Sequence, residues 1–158
     1  MTSADFDPKF GYAPNGPGAR AGGLGSRFFA RLIDGIVVNI VVFLVSFFLF
    51  DQSYWWFVTG LFSGVLMFGY FMLFEVTNGA TPGKRLLGLA VHGPGGAPRP
   101  DATQSAIRNS FTLLAVVPYL GPLLAFIAYV VIAVTISGSP TKQGKHDQLA
   151  GGTQVVKA

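Results

Sequence analysis

Apolar residues dominate three long stretches of the chain, and polar residues collect between them. From 27 to 50 the run continues through Ile36, Val37, Val38, Ile40, Val41, Val42, Phe43, Leu44 and Val45, with Asn39 and Ser46 as polar breaks. A stretch this long and apolar reads as a membrane span. A second span over about 54–76 opens with the aromatic girdle Tyr54-Trp55-Trp56-Phe57, directly after the short turn Asp51-Gln52-Ser53. Trp and Tyr favour the headgroup level, so this turn lies at a membrane interface and the two spans form an antiparallel hairpin. Gly60 and Gly64, with Thr59 and Ser63 alongside, give a small-residue face that admits another helix closely. That face serves either a second chain or packing within one bundle.

The third apolar region, about 102–137, is interrupted by Val116-Val117-Pro118-Tyr119-Leu120-Gly121-Pro122, a strong turn signal. It divides into helices of about 102–117 and 120–137. The first would be ~24 Å long at ~1.5 Å per residue, against a hydrocarbon core of ~30 Å. Two topologies follow: three spans, or four crossings with the third region folded as a hairpin. The connection 77–101 carries Lys84, Arg85, His92 and Arg99, whereas the turn at 51–53 has neither Lys nor Arg. The positive-inside rule then places the N-terminal segment and this loop in the cytoplasm. Lys142, Lys145 and Lys157 in the tail 138–158 favour the same side. Residues 85–92 and 152–157 read as short strands bounded by turn residues, and their pairing requires one shared face. The expected fold is an all-α membrane protein: a helical hairpin, a Pro/Gly-broken third apolar region and a small cytoplasmic β pair.

Composition supports this class. Of 158 residues, 51% are hydrophobic and 11% charged, and mean hydropathy is +0.51; soluble domains carry about a quarter charged residues. Residues 1–26, rich in Gly, Pro and Ala, cannot bury a core and read as a disordered cytoplasmic tail preceding a membrane domain over 27–158. No basic start followed by a short apolar core and a cleavage site is present, so the first span reads as a retained anchor. Cysteine is absent, which excludes disulfides and thiolate chemistry. The net charge of +4 comes from segments flanking the spans and is a topology signal rather than a nucleic-acid one.

The charged residues within or beside the spans are the candidates for chemistry. Arg27, Arg31 and Asp34 fall at i, i+4 and i+7, on one helical face. A carboxylate at mid-helix costs roughly 2.5–3.5 kcal/mol on insertion scales and less near an interface, so it needs a partner or a purpose. The first reading is an ion pair that fixes helix rotation; the second is a proton- or cation-linked carboxylate in a pathway. Glu75, closing the second span, lies on the side of Arg27 and Arg31, and Arg108 begins the third region. Together these residues form a candidate cluster at the cytoplasmic end. Thr81-Pro82-Gly83-Lys84-Arg85 lacks the spacing and the hydroxyl of a phosphate loop and reads as a basic turn at lipid headgroups. His92 and His146 have no zinc-ligand spacing, and no catalytic triad, carboxylate dyad or nucleophile elbow is legible. The expectation is therefore a non-enzyme without metal or cofactor.

In order along about 24–156 come Arg27 and Asp34, then Thr81-Pro82-Gly83-Lys84-Arg85-Leu86-Leu87-Gly88, then Ala106-Ile107-Arg108-Asn109. Gln143-Gly144-Lys145-His146-Asp147-Gln148-Leu149-Ala150-Gly151 and Val155-Val156 complete the set. This ordered set resembles the RDD family of small bacterial membrane proteins, named for one arginine and two aspartates. The resemblance implies that Arg27, Asp34 and Asp147 are signature residues, and it implies a multi-pass protein of the bacterial plasma membrane. It also implies transport of an unidentified ligand or cation/proton exchange, in a homo-oligomer or with another membrane protein. The alternative is an accessory protein that binds and regulates another membrane protein. The expected partners are thus the lipid bilayer and membrane proteins, with no nucleic acid.

Overall fold

A computed structural model describes residues 20–49 and 55–158. The expected turn at 51–53, the aromatic girdle side chains, Gly60 and the tail over 1–19 lie outside the described side chains. Helix α1, Leu24–Leu49, buries Arg27, Ala30, Asp34, Val38, Val42 and Ser46, a stripe repeating every three or four residues. Its opposite face, from Phe28 to Phe48, is apolar and exposed. Helix α2 is Trp55–Asn78. Its Ser63 Oγ donates to Asn39 Oδ1 at 3.1 Å and its Tyr70 Oη to Asp34 Oδ1 at 2.8 Å. Numbers rise along one helix as they fall along the other, so the two are antiparallel, as the hairpin requires.

The connection expected as a loop is structured. Helix α3, Pro82–Leu86, leads into strand β1, Leu89–His92, and a 3₁₀ turn at Pro94–Gly96. Asp101 caps α4, Ala102–Asn109, accepting from Gln104 N at 2.8 Å while Gln104 Oε1 accepts from Asp101 N at 3.0 Å. The chain continues as a 3₁₀ segment, Ser110–Val116, alongside α2. A Cβ on Gly64 would stand 2.9 Å from Val116 and 3.1 Å from the Thr112 carbonyl. The small residue therefore serves packing within the chain at this position. Tyr119, at φ +62°, turns the chain into α5, Gly121–Gly138. Phe111 and Tyr129 meet edge to face, their centroids 5.3 Å apart, so the third region folds back on itself at the predicted break.

Helix α6, Lys145–Leu149, precedes strand β2, Gln154–Lys157. The strands pair antiparallel, Leu89 opposite Lys157 and His92 opposite Gln154. Ala21 bridges Val156, and Gly22 N donates to the Val155 carbonyl at 2.9 Å. Residues 20–26 therefore do not belong to a disordered tail: they edge the sheet and begin α1. The expected β pair is present, four residues per strand. A small apolar cluster of Ala30, Leu89, Val91 and Val155 sits where α1 meets the sheet. Among the described residues, two helices, Leu24–Leu49 and Gly121–Gly138, are long and apolar enough to cross a membrane.

Candidate functional site

Among the described residues, buried polar and charged side chains outnumber buried apolar ones. They concentrate where α1 begins, α2 ends and α3, α4, α6 and β2 converge. Three carboxylates, Asp34, Glu75 and Asp147, are each 0% exposed. Isolated burial of a charge is costly, so the partners of each decide what it can do.

Asp34 has no cation within 4 Å among the described residues. Oδ1 accepts from Tyr70 Oη and Gly83 N, both at 2.8 Å, and Oδ2 from Thr81 Oγ1 at 2.5 Å. Helix α3 supplies two of these donors. Thr81 is its N-cap, with Pro82 at its first position, an arrangement that suits Pro and leaves the next amide free to donate. A Cβ on Gly83 would collide with the Ala30 carbonyl and approach the Asp34 carboxyl at 2.9 Å, so only glycine permits this approach. The arginine partner expected for Asp34 is replaced by two hydroxyls and an amide.

Glu75 is paired with cations. Lys84 Nζ contacts Oε1, while Oε2 lies 3.6 Å from Arg108 Nε and accepts from Asn109 Nδ2 at 2.8 Å and Ser105 Oγ at 3.1 Å. Lys84 is buried rather than turned to lipid headgroups, which corrects the reading of 81–85 as a basic surface turn at Lys84, while Arg85 is exposed. Burial pushes the Lys84 ammonium down to about 8, against the pull of Glu75.

Asp147 is held by two arginines: Arg27 Nη1 at 3.3 Å and Arg108 Nη1 at 2.5 Å. Gly144 N donates to it at 3.1 Å and Thr153 Oγ1 at 3.2 Å. Burial pushes this carboxyl up, but its neighbours, Arg108 foremost, outweigh it and hold it well below the usual range. Arg27 also donates to the carbonyls of Gly22 at 3.0 Å and Val155 at 3.2 Å. Burial pushes the His146 imidazole down to about 3, so its Nε2, 3.6 Å from Asp147 Oδ1, belongs to a neutral ring. Arg108 links the second and third carboxylates.

Arg31 stands apart. Its guanidinium carbon lies 4.6 Å from the Phe71 ring centroid and 4.8 Å from that of Phe111. Nη2 donates to Asn109 Oδ1 at 3.4 Å, and buried Nη1 has no hydrogen-bond partner. The structure thus gathers Arg27, Glu75, Arg108 and Asp147 into one ionic network and places Asp34 and Arg31 beside it with other partners. Tyr70, Thr81, Gly83, Lys84, Asn109 and Thr153 join the site without having been singled out for it. Thr-Pro, an N-cap followed by a first-turn proline, was the available signal for Thr81 and Gly83; Tyr70 and Thr153 carried none. Among the described residues no group of His, Asp and Glu is arranged to hold a metal.

Residues 21–151 match the RDD family. No curated protein and no solved structure matches the chain.

Proposed function

The chain belongs to the RDD family, and from that premise we propose that it is a multi-pass membrane protein acting in transport, with Asp34 as the group that takes up and releases a proton. The observation carrying this reading is the donor set of Asp34. A threonine hydroxyl both donates and accepts. Ionised Asp34 accepts from Thr81 at Oδ2; protonated Asp34 donates to the same hydroxyl. Tyr70 and Gly83 go on donating to Oδ1 in both states. A carboxylate locked to an arginine would lose its ion pair on protonation, whereas Asp34 keeps a hydrogen-bond partner on each oxygen in both states. The proton is exchanged against a cation, through a homo-oligomer or against a second membrane protein, because one chain of 158 residues supplies few intramembrane charges. The N-terminus, the connection 77–101 and the C-terminus face the cytoplasm, and the third region enters and leaves on that face.

Proteoliposomes carrying an enclosed pH dye test this with sodium and potassium gradients. Cation-dependent proton flux is expected, falling at least about tenfold in Asp34→Asn, the loss of roughly 1.4 kcal/mol or more, with circular dichroism and elution unchanged. Absence of flux with both ions moves the weight to the second reading, a non-transporting accessory protein that regulates another membrane protein. That reading is favoured by the network of Arg27, Glu75, Lys84, Arg108 and Asp147, whose mutual pairing suits a rigid scaffold.

A further inference from the structure

Between α1 and α5, which meet only sparsely, lies a cavity of about 450 Å³, within the ~300–1,000 Å³ of small-ligand sites. Its walls are apolar: Phe28 and Leu32 from α1, and Phe126, Val130 and Ala133 from α5. Phe28 is 61% and Phe126 65% exposed, and they mark a sideways opening. The floor is cationic. Arg31, Lys84, Arg108 and neutral His146 line it, whereas Asp34, Glu75 and Asp147 do not.

Three of these floor side chains present buried nitrogens without a hydrogen-bond partner: Arg31 Nη1, Arg108 Nε and His146 Nδ1. Arg108 is 2% and His146 8% exposed. Lys84 and Arg108 have carboxylate partners, but Arg31 has none within 4 Å among the described residues. Phe71 and Phe111 pack against its guanidinium, which fixes it while Nη1 keeps an unused donor. Apolar walls open to the side above an unneutralised guanidinium are complementary to one kind of molecule, an amphiphile with an anionic head. Resting on the membrane reading above, though not on transport, we propose that this cleft is a binding site for an anionic phospholipid. An acyl chain lies between α1 and α5, and the phosphate accepts from Arg31 Nη1.

The test reconstitutes the full chain into equal parts phosphatidylglycerol and phosphatidylcholine, re-extracts it in mild detergent and quantifies the retained lipid by mass spectrometry. Phosphatidylglycerol should be enriched about tenfold, and Arg31→Gln should abolish the enrichment, since a charge-assisted bond is worth about that factor. Val130→Trp keeps every cation but fills the cleft, and should lower retention of the lipid even if Arg31→Gln misfolds. Added inorganic phosphate should not displace the lipid. Equal retention of both lipids, enrichment unaffected by Arg31→Gln or Val130→Trp, or displacement by phosphate alone would each overturn the assignment. Resistance of the chain to alkaline carbonate extraction reports the membrane reading separately.

Discussion

Thr81, Gly83 and Tyr70 decide what Asp34 is. With an arginine in their place the carboxylate would be a fixed charge; with hydroxyls and an amide it finds partners in both protonation states. His146 shows the opposite outcome of burial. Its ring, pressed edge-on against Phe111 with centroids 5.9 Å apart, is pushed down to about 3 by burial. Arg108, Arg31 and Arg27 add to that effect and Asp147 opposes it. As pH falls below about 6.5 the unfolded chain takes up this proton and the folded one does not, so stability falls toward pH 3. The cost reaches about 2 kcal/mol by pH 5 at ~1.4 kcal/mol per unit. Asp147, held low, adds its own loss only below about pH 4, where the unfolded carboxyl protonates first. Thermal unfolding in detergent should therefore weaken between pH 7 and 5 in the wild type and weaken less in His146→Phe, where His92, also pushed down by burial, still contributes; a flat wild-type profile would contradict a buried neutral His146. Charged residues near apolar runs announced themselves in the sequence because burial demands partners. Which partners they take did not show: Thr81 and Gly83 stand in a motif that says nothing of Asp34, and Tyr70 looks like any span residue until the chain is folded.

At the scale of elements, the hairpin, the break near 118–122 and the strand pair were legible from hydrophobic runs and turn residues. Helix α3 was not, because five residues carry too little periodicity, and its Thr-Pro start was the only cue. The earlier start of α1 was hidden for a related reason: Gly22, Gly23 and Gly25 look like tail, yet Gly22 N is held by the Val155 carbonyl at 2.9 Å. Helix α6 is fastened to α1 by Arg27–Asp147, 120 residues apart in sequence. This pair is buried, and removing Asp147 leaves Arg27 with carbonyl acceptors alone, at a cost of about 3–5 kcal/mol, whereas removing Arg27 leaves Asp147 still paired with Arg108. Asp147→Asn should lower stability by that order, and Arg27→Gln by less. The double variant should lose less than the sum by roughly 1–3 kcal/mol, measured by denaturant unfolding in detergent. Strict additivity would mean that the two elements are not coupled through this pair.

At the scale of the molecule, Asp34, Glu75 and Asp147, each with different partners, share one end of the bundle among the described residues. Glu75 and Asp147 hold the elements together through Lys84, Arg108 and Arg27, while Asp34 is served by neutral donors alone. The β1–β2 pairing brings the connection after α2 and the C-terminal strand to one face, which is where the ionic network forms. The apolar outer faces of α1 and α5 leave a bilayer as the environment that covers them at least cost. Buried charge here divides into structural and exchangeable, and infrared difference spectroscopy of the reconstituted protein tests that division. Replacing sodium-free buffer with sodium-containing buffer should remove a protonated-carboxyl band that is absent from Asp34→Asn and retained in Glu75→Gln. No such band, or one that survives Asp34→Asn, would contradict Asp34 as the proton-exchanging group.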